Sequence, residues 1–438
     1  MIMGTDASIA CIDENDLLEK AESLIKKEKW EDAVILLRPQ HEAEKLSIKG
    51  LKILAQCYSR NGVFAEASKI YEELCEKQPH DARLAYFLGY QYQMLKNWER
   101  AVKTYIKCLE LFPHFIKAYL QLGQVFEEQD LPNEALKAYR KGFQAYRQMQ
   151  PNRQKGFSNV CSKILTQAAK LLQSFDNKTE NTRNKIEFCL KESVACEPEN
   201  ADNLYRLGRF FLEMERTDEA LMYLNKAHSL APHKEYISHK IAQAFLQKGD
   251  GEKAFEIYEK IPVNKRAPYI LNGMAICLRK QGKTEEAARF LFRAMQLEPG
   301  KFYHHKDFGM ALLELGDRDQ AIEVLENANK LFKKEHGKNH SKIIAAIEEA
   351  RTMSEGERVV FEEPTSSVTA IFYGVITKYL SERGFGFIKD NKDGKDVFFH
   401  IKSVKPRVTP EEGMSVKFLR EIGEKGPHAT RVWIPKPV

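Results

Sequence analysis

A repeat of about 34 residues governs the first 350 positions of this 438-residue chain and restricts what they can build. A small residue returns as Ala55, Gly89, Gly123, Gly208, Ala242, Ala275 and Gly309. Three positions on stands a ring or a leucine: Tyr58, Tyr92, Phe126, Phe211, Phe245, Leu278 and Leu312. Twelve positions after the small residue comes alanine, at 67, 101, 135, 220, 254, 287 and 321. A large residue follows at Tyr71, Tyr105, Tyr139, Leu224, Tyr258, Leu291 and Leu325. Pro79, Pro113, Pro198, Pro232 and Pro299 close units, and proline ends a helix. Each unit reads as two helices that cross where the small residue sits. Gly62, Gly249, Gly282 and Gly316 suit the turn between them. One helix pair cannot bury its apolar face alone, so neighbouring pairs stack into a continuous core.

These residues resemble the tetratricopeptide repeat. The resemblance implies an all-α superhelix, an α-solenoid, with the first helix of each pair lining a concave groove that holds a protein or peptide. The expected extent is residues 14–350. Residues 14–47 form a degenerate first unit with Trp30, Ala33 and Leu37 in second-helix positions. A long helix over 157–175, a polar loop over 176–182 and a helix over 184–195 form an elongated unit. The run from Leu331 to Met353 reads as a single capping helix, and 351–368 as an acidic linker. Some tetratricopeptide proteins clamp a C-terminal carboxylate. Here Lys52 is followed by Gln56 and Tyr86, so that constellation is broken, and no such clamp is expected. Arg206 and Arg209, three apart on one helix, read as a solvated face.

The last part, 369–435, has a different period. Arg383-Gly384-Phe385-Gly386-Phe387-Ile388 and Asp396-Val397-Phe398-Phe399-His400-Ile401 alternate with period two, as strands joined by a tight turn at Asp393-Gly394. Alternation places Phe385, Phe387, Phe398 and His400 on one face, and Ile388, Val397 and Phe399 on the other. From Thr369 on, the chain carries 13 Lys+Arg against 8 Asp+Glu, whereas the remaining 368 residues carry 55 against 54. The basic excess is thus concentrated beside the rings. Rings that stack unpaired bases, with cations for the phosphates, are what single-stranded nucleic acid requires.

This segment resembles the cold-shock domain. Arg383 to Ile388 is similar to the family's first nucleic-acid-binding motif, and Val397 to Ile401 to its second. Glu412-Gly413, Val416-Lys417-Phe418 and the run Lys425 to Val432 are similar to its closing elements. The resemblance implies a small all-β, five-stranded barrel of the oligonucleotide-binding type. It implies that single-stranded RNA or DNA is held by Phe385, Phe387, Phe398, His400 and Tyr379, with charge from Lys378, Arg383, Lys389, Lys402 and Lys425. Two positions depart from the family: Lys378 stands where a stacking tryptophan is usual, and Ile401 where a third aromatic is common. The alternative reading is a protein-binding scaffold whose barrel has lost nucleic-acid affinity.

Other chemistry is not indicated. No Walker loop, dinucleotide GxGxxG or HExxH is present. His304 and His305 point about 100° apart on a helix, an awkward pair for one metal, and solvent exposure or cap contacts are expected for them. Neither catalysis nor a cofactor is expected. The eight cysteines form no CxxC, which favours free thiols in a reducing compartment. Asn177-Lys178-Thr179 fits a glycosylation acceptor without secretory context. No stretch approaches about 18 apolar residues, so no membrane span is expected. A cytoplasmic location is expected, with nuclear entry left open.

Overall fold

A computed structural model of the chain describes residues 14–175, 179–353, 371–391, 394–405, 409–423 and 426–434. The glycosylation triplet's first two residues, the linker beyond Met353, Asp393 and Lys425 lie outside them, whereas Arg351 and Thr352, expected in the linker, end a helix. The chain divides into two compact units, Met1–Leu207 and Gly208–Val438. Among the described residues the first contains only helices as regular elements; the second contains further helices and a β-barrel.

In the first unit Ile48–Arg60 is followed by Phe64–Lys77, Ala82–Met94 by Trp98–Leu111, and Ile116–Glu128 by Pro132–Arg147. In the second, Glu235–Gln247 precedes Gly251–Glu259, Pro268–Lys280 precedes Thr284–Leu297, and Phe302–Leu315 precedes Arg318–His336. The repeated small and large residues meet within each pair. A methyl group at Gly89 would stand 2.8 Å from the Tyr105 ring, and one at Gly309 would stand 2.7 Å from Leu325 Cγ. The second-helix alanines at 67, 101, 135, 220, 254, 287 and 321 are fully buried. Sequence spacing therefore fixes the helix crossing: the large side chain fills the space that the small residue leaves.

The turn inside each pair recurs with the repeat. Gly62, Gly249, Gly282 and Gly316 all have φ between 77° and 86°. At the same turn elsewhere the left-handed residue is not glycine: Glu28, Lys96, Asp130 and Glu215 have φ of 56–59°. Glu28 marks the degenerate first unit, formed by Glu14–Lys26 and Trp30–Glu42. A left-handed L-residue costs roughly 1–2 kcal/mol. Lys96→Gly should therefore stabilise the chain by about 1 kcal/mol, read as a higher denaturant midpoint at unchanged slope. An unchanged or lower midpoint would contradict this account.

The elongated unit consists of Ser158–Gln173 and Glu180–Cys196. Two expectations need correction. The single helix expected over 331–353 is the end of Arg318–His336 plus a separate helix, Ser341–Thr352. Gly337, at φ 72°, ends the first, and His340 Nδ1 accepts the Ile343 N–H at the start of the second. Arg209, expected on a solvated face, is only about one-third exposed and pairs with Glu213 at 3.3 Å. For His304 and His305 the second of the two expected outcomes holds, contacts at the helix start, with both side chains buried. His304 Nε2 lies 3.1 Å from Glu298 and His305 Nε2 lies 2.8 Å from the Pro299 carbonyl, so both hold the segment entering their helix.

The seven described cysteines are free. Burial pushes the Cys57 and Cys277 thiols up to about 11 and Cys108 up to about 12, which leaves them protonated and unreactive at neutral pH.

The barrel is formed by β1 (Ile371–Leu380), β2 (Phe385–Asp390), β3 (Asp396–His400), the two-residue β4 (Val404–Lys405), β5 (Ser415–Gly423) and β6 (Gly426–Trp433). β4 is a short addition to the five principal strands. The sheet order is β3-β2-β1-β5-β6-β4, and a parallel β3–β6 pairing closes it. Ile376, Ile388, Val397, Phe399, Val416, Phe418 and Val432 form its core. Leu419 and Trp433 pack instead with Leu271, Phe290, Ala294 and Leu297, on the helices Pro268–Lys280 and Thr284–Leu297. The barrel thus meets the repeats through β5 and β6, whereas its exposed rings stand on β2 and β3.

Candidate nucleic-acid interface

Strands β2 and β3 pair antiparallel, with Phe385 opposite His400, Gly386 opposite Phe399, Phe387 opposite Phe398 and Ile388 opposite Val397. Because side chains alternate across a strand, this register gathers Phe385, Phe387, Phe398 and His400 on one face. Their partners Ile388, Val397 and Phe399 are fully buried on the other. The β2 burial pattern shows the same division, with Phe385 and Phe387 half-buried between buried Gly386 and Ile388. Gly386 lies on the inner face: a side chain there would strike the Lys378 carbonyl and stand 2.7 Å from the Phe399 ring. Gly384, at φ 66°, turns the chain from Arg383 into β2.

The three phenylalanine rings touch one another. Centroids are 5.5 Å apart for Phe385–Phe398, 6.0 Å for Phe387–Phe398 and 6.3 Å for Phe385–Phe387. Phe398 is 38% exposed although the barrel has a complete apolar core beneath it. His400 is exposed, and its Nδ1 accepts the Lys402 N–H at 3.1 Å, which leaves Nε2 to carry the proton. Barrel closure adds a neighbour that sequence reasoning missed as a site residue: His428 on β6 pairs with Phe398 and lies half-buried beside it. Only closure of β3 against β6 brings it there, and no local pattern signals that.

Lys378 is exposed and pairs with Phe387 across β1 and β2, so its side chain leaves the sheet on the face of the ring cluster. A register shift between Ile376 and Lys378 changes which side chains face outward there. Arg383, Lys389 and Lys402 are also exposed. Tyr379 is placed differently from expectation. It pairs with the inner-face Gly386, and its half-buried ring stacks on Phe399 at 6.1 Å, against the core. Ile401 likewise packs against the core. Tyr373 is 61% exposed on β1.

Among the described residues no group of three or more His, Cys, Asp or Glu is placed to hold a metal ion, and no helix is long and apolar enough to cross a membrane.

Known proteins divide the chain in the same way. The 'Cold-shock' DNA-binding domain family matches residues 372–435. The tetratricopeptide repeat matches 116–148, 201–234, 307–335 and 87–114, and the PPR repeat matches 52–78. A cold shock-like protein CspA of Vibrio cholerae is 41% identical over 61 residues, 14% of this chain and 87% of that protein. The TPR repeat-containing protein YpiA of Bacillus subtilis is 22% identical over 263 residues, 58% of this chain. The chain spans 57% of YpiA's length. Among solved structures, a tetratricopeptide repeat protein from Parabacteroides merdae aligns over 64% of this chain and 99% of its own, with 15% identity and a TM-score of 0.44. The cold-shock domain and the tetratricopeptide repeat are non-catalytic scaffolds. Through its C-terminal domain the chain belongs to the cold-shock family, and that domain follows a helical region in which tetratricopeptide repeats are matched.

Proposed function

We propose that the chain is an adaptor that grips unpaired RNA on its barrel and a partner protein on its helical repeats, in the cytoplasm. One observation carries the nucleic-acid half. Three phenylalanines in mutual contact are held outward on β2 and β3 beside Lys378, with Phe398 38% exposed. Outward rings of this kind stabilise no core, and their faces suit unstacked bases. Phe385, Phe387, Phe398 and His400 are the stacking groups, and Lys378, Arg383, Lys389 and Lys402 supply charge. Lys425 completes the charge set from the sequence pattern. Tyr379 is left out because its half-buried ring is turned against the core. Sequence preference is weak, since every base has a face to stack. RNA is favoured because unpaired cytoplasmic nucleic acid is mostly RNA. Joining two modest sites in one chain raises the effective affinity for a bound assembly.

The second reading, a protein scaffold with a silent barrel, draws on the packing of Tyr379 and Ile401 against the core, which thins the ring face. Anisotropy titration of the full chain with a fluorescein-labelled oligouridylate at several salt concentrations separates the two. Each phosphate contact adds about −0.7 to the slope of log affinity against log salt for a single strand. Arg383→Glu should make that slope shallower and weaken binding. Binding that is insensitive to both salt and Arg383 would favour the scaffold. An oligothymidylate bound more tightly than the oligouridylate would reverse the RNA assignment.

A further inference from the structure

Within the first unit, the helices Ile48–Arg60 and Ala82–Met94 border a cavity of about 680 Å³. Its two walls differ in chemistry. The first helix contributes Lys52, Gln56 and Arg60, spaced four apart along one face. The second contributes Arg83, Phe87 and Tyr90, at i, i+4 and i+7. Phe87 is 43% exposed, yet its ring is fixed: it stacks on Tyr71 at 5.7 Å and meets Tyr86 edge-on at 5.4 Å. Tyr90 is braced by Phe64 at 6.5 Å. An exposed ring that is already ordered loses little further entropy on binding, which favours it as an anchor.

The charge in this groove is unbalanced. The lining holds Lys52, Arg60 and Arg83 against one acid, Asp81. Asp81 is already engaged, by Lys52 Nζ at 3.4 Å and by the Arg83 backbone N–H at 2.9 Å. Arg60 lies over the Trp30 ring at 5.6 Å, and neither its guanidinium nor that of Arg83 has a carboxylate partner among the described residues. Two guanidinium groups thus stand beside an aromatic wall with no acid of their own.

We propose that this groove is the protein-binding site of the repeats, and that its ligand is an extended acidic peptide with a large apolar side chain between carboxylates. The side chain packs on Phe87 and Tyr90, and the flanking carboxylates pair with Arg60 and Arg83, where bidentate geometry is available. The proposal rests on the adaptor reading and names the partner chemistry it left open. A peptide is favoured over RNA because the helical part of the chain, residues 14–353, carries 54 Lys+Arg against 48 Asp+Glu, a far thinner positive excess than the 13 against 8 in the 70 residues from Thr369 on, and little for a phosphate backbone.

The test is a titration of the full chain with a labelled short peptide repeating Glu-Glu-Phe-Glu, against versions with alanine for phenylalanine or lysine for glutamate. The acidic aromatic peptide should bind most tightly. Phe87→Ala, and separately the pair Arg60→Glu and Arg83→Glu, should each weaken it by about tenfold or more. Circular dichroism and oligouridylate affinity should remain unchanged. The charge-reversed chain should now prefer the lysine peptide, a switch that simple misfolding does not produce. Equal binding of the three peptides, or wild-type affinity in both variants, overturns the proposal. So does loss of oligouridylate binding in the charge-reversed chain with its fold intact, which would make RNA the occupant. Capture of proteins from nuclease-treated lysate tests the adaptor reading separately. Partners held equally by wild type and the Phe87→Ala variant would uphold that reading while removing this groove from it.

Discussion

Replacing Phe385 and Phe398 together by alanine should abolish most of the affinity for single-stranded RNA while leaving the barrel folded. Each base stacked on a ring contributes about 1–3 kcal/mol, so losing two rings predicts a decrease of thirtyfold or more, about 2–6 kcal/mol. The two effects will not simply add, because the rings are 5.5 Å apart and share Phe387 as a neighbour. Both side chains lie on the outer face, so neither substitution opens a core cavity, and hydrogen exchange across β2 and β3 should stay protected. The converse substitution tests the same site by gain. Lys378 pairs with Phe387 at the edge of the ring cluster. Lys378→Trp exchanges one cation for a fourth large ring. Tighter binding with a shallower salt slope is expected, since a stack is worth more than a single exposed charge. Unchanged RNA affinity in the double alanine variant would remove the rings from the site and leave the scaffold reading.

The repeats were legible because their decisive contacts lie at fixed offsets in the sequence. Gly89 and Tyr105 are sixteen positions apart, as are Gly309 and Leu325, and each pair meets where two helices cross. The ring face was legible for a similar reason, since period two sorts Phe385 and Phe387 from Ile388 without knowledge of the rest of the barrel. What stayed hidden depends on closure or on backbone angle. Tyr379 follows the register shift in β1, and a shift of one residue reverses the face on which a side chain stands. His428 reaches Phe398 only through the parallel β3–β6 pairing. Lys96 and Asp130 occupy left-handed turns that glycine marks elsewhere, and nothing in their side chains declares it. Gly337 sits in a run with helical composition, and its φ of 72° divides that run into two helices.

An ion pair inside the barrel leads to the largest expected effect on stability. Asp390 ends β2 on the inner face and is 1% exposed. Arg420 Nη1 meets its carboxylate at 2.9 Å, and the guanidinium also lies 5.4 Å from the Phe372 ring. Neither residue reads as a pair in the sequence, because thirty positions separate them and only the common neighbour β1 brings β2 and β5 together. Removing one member of a buried pair costs about 3–5 kcal/mol, since the other charge stays buried without its partner. A single core of this size rarely supplies more than about 3–5 kcal/mol in total. Asp390→Ala should therefore unfold most of the barrel, with hydrogen exchange lost across β1 to β3 and retained in the first helical unit. RNA binding should fall with it, by a route that the ring substitutions do not share. Replacing both members by apolar residues, Asp390→Leu with Arg420→Met, should recover much of the lost protection, because two buried charges and their desolvation are then removed together. If Asp390→Ala alone left the barrel protected, the pair would be peripheral to its stability, and the inward carboxylate would need another explanation.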